Sequence, residues 1–257
     1  MAYPAFVTEN EPLARFVLKE VDSLTAPRSR ADFLSGTRWA LYRDGDTISI
    51  LTYSGSSEPS LAIDIDRGSL TGDIIVNRAL HPPRMPALAY PGMEVLYIDL
   101  LAQERGVLLH ACAIDRGGTG IAFVGKSGAG KSTMARLWME RGVGSVLCDD
   151  RIIARKSDQA FTIYGTPWHG DIAAVSSASV PLERLYFLRH ASANRVTQLG
   201  PAESVSRLMG CVFAPWWDRE GMAFTLSFLE DLVRTVPCFE LGFLPQPETV
   251  DYILDCS

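Results

Sequence analysis

An α/β fold of mixed sheets with flanking helices is what this sequence predicts, and three observations predict it. The apolar run Gly120-Ile121-Ala122-Phe123-Val124 reads as a buried strand, and it is followed by a glycine-rich turn and a helix-compatible run from Ser132 to Arg141. Further strand-like runs at Val107 to Ile114 and Ser145 to Cys148 flank that unit. Upstream, period-two alternation from Thr37 onwards indicates a β-rich portion. The division expected is a β-rich portion at 1–90 (free to be one sheet layer of the same domain) and an α/β core at 91–257.

Within the first portion, Pro12 to Val21 reads as a short amphipathic helix, with Leu13, Phe16, Val17 and Val21 towards one face. Thr25 to Arg30 reads as a loop. Trp39 and Leu41 alternate with Arg38, Ala40 and Tyr42, and after the Asp44-Gly45 turn Ile48 and Ile50 continue the pattern, which reads as a β-hairpin. Leu61 to Ile65 supplies a third strand. His81 to Pro91 carries Pro82, Pro83, Pro86 and Pro91, so it excludes regular helix and marks a linker. Gly92 to Arg105 shows a helical stripe of Met93, Leu96, Tyr97, Leu100 and Leu101, capped by Gly106. Beyond the central helix, Gly142 to Gly144 ends it. Strands are expected at Ile152 to Ala154, Phe161 to Tyr164, Leu182 to Arg189 and Cys238 to Leu244. Helices are expected at Ala202 to Cys211, Met222 to Val233 and Thr249 to Leu254.

The glycine-rich turn, Gly125-Lys126-Ser127-Gly128-Ala129-Gly130-Lys131-Ser132-Thr133, satisfies G-x-x-x-x-G-K-[ST] in every fixed place. Strand, glycine turn and helix are what a phosphate cradle requires. Glycines adopt backbone angles closed to other residues, and their bare amides face an anion at the positive end of the helix. Lys131 is expected to reach the β- and γ-phosphates of a nucleoside triphosphate, and the Ser132 hydroxyl to ligate Mg²⁺. The pattern G-x-G-x-x-G is absent, as are N-K-x-D and a placed D-x-x-G, so dinucleotide binding and GTPase chemistry do not fit.

Composition narrows the partners. The chain has 257 residues, 47% hydrophobic and 21% charged, ordinary for a globular protein. A net charge of −6 argues against nucleic acid as the main partner. No run approaches a membrane span, and no basic region followed by an apolar core opens the sequence, so a cytoplasmic protein is expected. Its five scattered cysteines form no C-x-x-C pair and read as reduced thiols.

Acidic residues follow the loop at the right place. Ser145 to Cys148 delivers Asp149 and Asp150 at a strand end, where Mg²⁺-directed chemistry is expected. His110, the loop, Arg141-Gly142 and Asp149-Asp150-Arg151 stand in the order found in the catalytic domain of HPr kinase/phosphorylase, a phosphoenolpyruvate-carboxykinase-like P-loop kinase family. The stretch from 107 to 156 resembles that family closely, with a turn at Val143-Gly144 absorbing slightly longer spacing. The resemblance implies a P-loop kinase core that moves phosphate from ATP to a hydroxyl on a protein, peptide or small molecule. Asp149 would be the base, Asp150 would hold Mg²⁺ with Ser132, and His110 would polarise the γ-phosphate or orient Asp149. It also implies a homo-oligomer. The N-terminal third does not resemble that family's regulatory domain, and Gly165 to Asp171 (GTPWHGD) stands where a family signature would. The acceptor is therefore broadened beyond a serine on HPr, and a regulatory ATP-binding protein is the alternative.

Other candidates carry competing readings. His110 also suits a core histidine. His169 and Asp171 suit a second metal ligand, an acceptor contact or a rigid turn. Arg189, His190 and Arg195 are phosphate-contact candidates, and Trp216-Trp217 either wall a peptide site or belong to the core.

Overall fold

The computed structural model describes residues 6–7, 9–36, 38–81, 90–158 and 160–256. Thr37 and most of the proline-rich linker, 82–89, lie outside the described residues. The described residues form two compact units, one within 9–100 with 215–219 and the other of 6–7 with 101–214 and 220–256.

In the first unit the described strands are β1 (Arg15–Val21), β2 (Phe33–Ser35), β3 (Trp39–Asp44), β4 (Thr47–Thr52), β5 (Leu61–Asp66) and β6 (Thr71–Asn77), followed by α1 (Gly92–Leu101). They form a six-stranded sheet in the order β1-β6-β5-β4-β3-β2. The expected hairpin is there, with Leu41 opposite Ile50 and Asp44 opposite Thr47. One face of the sheet buries Leu41, Ile48, Ile50, Ile63 and Ile65 against Val95, Leu96 and Leu100 of α1. Residues 15–21 are a strand and not the helix that the Leu13/Phe16/Val17/Val21 spacing suggests. They pair in parallel with β6, from Arg15 opposite Thr71 to Val21 opposite Asn77. On an edge strand the apolar spacing mimics a helical stripe, and the partner that decides the matter lies more than fifty residues away.

Segment 215–219 belongs to this unit. Trp217 packs on Phe33 and Trp39 at ring separations of 5.7 and 5.6 Å. Its Nε1 donates to Asp99 at 3.1 Å. Asp99 is fully buried, and Arg67 meets it through Nε at 3.0 Å while also donating to Asp218 at 2.8 Å. Trp217 therefore packs, partly buried, against the core of this unit, whereas Trp216 is 61% exposed.

The second unit contains β7 (Val107–Asp115), β8 (Gly120–Val124), α2 (Lys131–Arg141), β9 (Ser145–Cys148), β10 (Arg151–Ser157), β11 (Ala160–Gly165), β12 (Ser179–His190), β13 (Arg195–Gln198), α3 (Pro201–Met209), β14 (Val212–Phe213), α4 (Arg219–Thr235), β15 (Cys238–Phe243) and α5 (Glu248–Asp255). The described strands form one mixed sheet, ordered β11-β10-β7-β8-β12-β15-β13, with β9 and β14 pairing β7. β8, β12 and β15 run parallel, while β7 is antiparallel to β8. Both faces are covered, which explains why β7 and β8 read as continuous apolar runs. Leu109, Ala111 and Ala113 face a core closed by Leu208 of α3 and by Phe228, Leu229 and Leu232 of α4. Cys112 and Ile114 face the opposite core, with Met134, Ala135 and Trp138 of α2 and Val250 and Ile253 of α5. Gly142, at φ 67°, ends α2 by donating to Trp138 O, as its position in the sequence predicts. The short strands β13 and β14 have no sequence signal of their own, since each is fixed by its sheet neighbour.

Candidate functional site

The parallel strands β8 and β12 end at the same edge of the second sheet, and the glycine loop leaves β8 there. Gly128 and Gly130 take φ values of 80° and 103°, open to glycine at little cost. A Cβ on Gly130 would lie 2.6 Å from Phe243 Cζ, so that position needs glycine for space as well. No side chain caps the start of α2. Its first amides and the positive end of its dipole therefore face the loop. Lys131 curls back across the loop, donating to Gly125 O at 3.0 Å and Lys126 O at 3.3 Å. Burial lowers its pKa, although Asp150 and other groups nearby pull the other way.

Ser132 and Asp149 stand together: the hydroxyl donates to Asp149 Oδ2 at 2.9 Å. Asp149 is 1% exposed. Two more donors come from the loop after β11: Gly170 N–H meets Oδ1 at 2.7 Å and Ile172 N–H meets Oδ2 at 3.2 Å. That loop is anchored by Thr166, whose buried hydroxyl donates to Arg151 O at 2.6 Å. The GTPWHGD segment thus reaches the site through its backbone. Its His169 and Asp171 are exposed, with His169 Nδ1 against Gly170 O.

Asp150 faces a different partner. His110 Nε2 lies 3.1 Å from Asp150 Oδ1, and Arg151 pairs with Oδ2. Burial works to raise the Asp150 carboxyl, but the His110 hydrogen bond and the Arg151 guanidinium outweigh it and hold the pKa below the ordinary value. Phe213 backs both partners, with its ring centre 5.2 Å from Arg151 Cζ and 6.0 Å from the His110 ring. β14 puts Phe213 there through Cys211 O, which accepts from His110 N–H at 2.7 Å, and through pairing with β7. Two dyads result, Ser132–Asp149 and His110–Asp150. The resemblance implied Ser132 beside Asp150, with His110 either polarising the γ-phosphate or orienting Asp149.

Of the remaining candidates, Arg189 donates to Glu240 at 3.0 Å on one face of β12. His190, on the other, meets Gly128 O at 2.9 Å. Arg195 is exposed on β13. Sequence reading missed Thr166, Gly170, Ile172 and Phe213. The loop's glycines were a signal for the second of these; backbone donors and a two-residue strand leave no other trace.

Asp149 and Ser132 offer hard oxygen donors, the chemistry that suits Mg²⁺. Among the described residues no group of three or more His, Cys, Asp or Glu forms a metal cage. No helix among the described residues is long and apolar enough to cross a membrane.

No curated protein matches the chain. Among solved structures it is similar to the HPr(Ser) kinase/phosphatase from Coxiella burnetii, at 13% identity over 58% of this chain and 94% of that one. The TM-score is 0.34, too low to decide a fold. The model of the family described as SynChlorMet cassette protein ScmC matches residues 92–243, more than half of the sequence. That span takes in the glycine loop, both dyads and the loop that grips Asp149; the chain belongs to the ScmC family.

Proposed function

We propose that the chain is an ATP- and Mg²⁺-dependent phosphotransferase acting on a hydroxyl of a protein, peptide or small molecule. The observation that carries this reading is the pair of dyads beside one glycine loop, with Ser132 on Asp149 and His110 on Asp150. The loop amides and Lys131 bind and orient the phosphates. Ser132 and Asp149 would hold the Mg²⁺, which supplies charge neutralisation at the transferring phosphoryl group.

Asp150 takes the acceptor proton in this reading. It is the more accessible carboxylate of the two, and its lowered pKa keeps it ionised at neutral pH. A weak base suffices, because phosphoryl transfer passes through a loose transition state in which positioning outweighs proton abstraction. His110 orients that carboxylate by donating from Nε2, and Arg151 holds its second oxygen. The role of base thus moves from Asp149, which the resemblance nominated, to Asp150. Asp149 already accepts from Ser132, Gly170 and Ile172, whereas Asp150 keeps 19% of its side chain exposed and is the more open of the two to an acceptor hydroxyl.

The test is incubation with γ-labelled ATP, Mg²⁺ and cell extract or synthetic serine peptides, comparing wild type with Asp150→Asn and Asp149→Asn. Label on an acceptor in the wild type, lost in Asp150→Asn while nucleotide still binds, supports the assignment. Nucleotide binding with no transfer to any acceptor would support the regulatory alternative. Full transfer by Asp150→Asn would refute the base.

A further inference from the structure

β12 carries a histidine to the glycine loop that the two dyads do not use. His190 Nε2 lies 2.9 Å from Gly128 O, at the apex of the loop. A carbonyl can only accept, so this nitrogen carries the proton. The imidazole stacks on Phe243 with ring centres 5.7 Å apart and an interplanar angle of 30°. Phe243 in turn lies directly under Gly130, and His190 Cε1 is 3.5 Å from where a Gly130 Cβ would stand. The loop is thus gripped at two of its glycines by a ring pair rooted in the ends of β12 and β15.

This grip sits opposite the chemistry. Ser132 and Asp149 stand on the β7–β9 side of the loop, whereas His190 stands on the β12–β15 side. Gly128 and Gly130 are free to take many backbone angles, and such glycines must be ordered before their amides converge on a phosphate. A hydrogen bond to the apex lowers that cost before the ligand arrives. The neighbouring Arg189, on the opposite strand face, is held by Glu240 and makes no such contact.

We propose that His190 is a positioning residue for the glycine loop: by holding the Gly128 carbonyl it presets the loop and sets the affinity for the polyphosphate of a nucleoside triphosphate. This rests on the proposed nucleotide reading of the loop. The experiment is calorimetric titration of the full chain with MgATP, alongside thermal unfolding, for wild type, His190→Phe and His190→Gln. Phenylalanine keeps a ring on Phe243 but removes the donor, and glutamine keeps an N–H donor. His190→Phe is expected to weaken MgATP about three- to tenfold, the weight of one hydrogen bond, with an unchanged unfolding temperature. His190→Gln is expected to recover most of that loss. Wild-type affinity in His190→Phe, equal losses in both variants, or affinity falling only in step with unfolding temperature would overturn the positioning role. Absence of MgATP binding by the wild type would instead overturn the nucleotide reading itself.

Discussion

Replacing Gly170 with alanine tests how the site holds its buried carboxylate. A Cβ at this position would lie 2.9 Å from Asp149 Oδ2, 3.4 Å from its Cγ and 3.3 Å from Asp150 Cβ. The backbone angle there is not a left-handed one, so the penalty is of space and not of strain. Asp149 has nowhere to retreat: it is 1% exposed and bonded to Ser132 and Ile172. The loop must therefore move, and the 2.7 Å bond from Gly170 N–H is what it gives up. A hydrogen bond to a charged group is worth about 1.5–3 kcal/mol. Metal-dependent transfer should fall by about 10- to 150-fold if that weight is expressed at the reacting complex. The assay is initial-rate phosphate transfer at saturating and sub-saturating Mg²⁺, with thermal unfolding as control. Wild-type transfer and Mg²⁺ dependence in Gly170→Ala would refute the claim that this amide holds Asp149 for the metal.

Further outcomes follow from the geometry. Thr166→Val removes the hydroxyl that donates to Arg151 O at 2.6 Å, and should lower stability by about 1–3 kcal/mol in denaturant titration by leaving buried polar groups unpaired. Asp99→Ala removes one of the two carboxylates that Arg67 meets and the acceptor of Trp217, and should cost about 1.5–3 kcal/mol. Trp217→Phe, which keeps the ring packing and loses one hydrogen bond, should cost less in the same titration. Asp150 has a folded-state pKa below its ordinary value, so its ionised form stabilises the fold above about pH 4 and the benefit is lost as pH falls below that. The difference in unfolding temperature between wild type and Asp150→Asn should therefore stay constant from neutral pH down to that point and then shrink. Among the thiols, exposed Cys256 should react first with a disulfide reagent, while Cys238, pushed up to about 11 by burial, stays inert in the native state.

Much of the second unit was legible in the sequence because its signals are local. The apolar runs 107–114 and 120–124, the glycines before Lys131 and the Gly142 stop each declare a boundary within a few residues. The order of the elements around the loop followed from those signals alone. β1 was misread because its partner β6 lies far along the chain and its exposed Val17 and Leu18 break the alternation a strand normally shows. The positions of His110, Asp149 and Asp150 beside the loop were readable, but their pairing was not. Which of two adjacent carboxylates turns inward is set by Gly170 and Ile172, two backbone donors more than twenty residues away. Likewise nothing in Trp216-Trp217 says which ring packs inward; Phe33 and Trp39 decide it.

The loop from Gly125 to Thr133 is proposed to bind a nucleoside triphosphate with Mg²⁺. The most direct measurement is isothermal titration of the purified chain with MgATP, beside Lys131→Ala. Lys131 is bonded within the loop to Gly125 O and Lys126 O. Single-site saturable binding is expected for the wild type, with affinity falling at least about tenfold when the ammonium is removed. No binding by the wild type, or equal binding by Lys131→Ala, would contradict it.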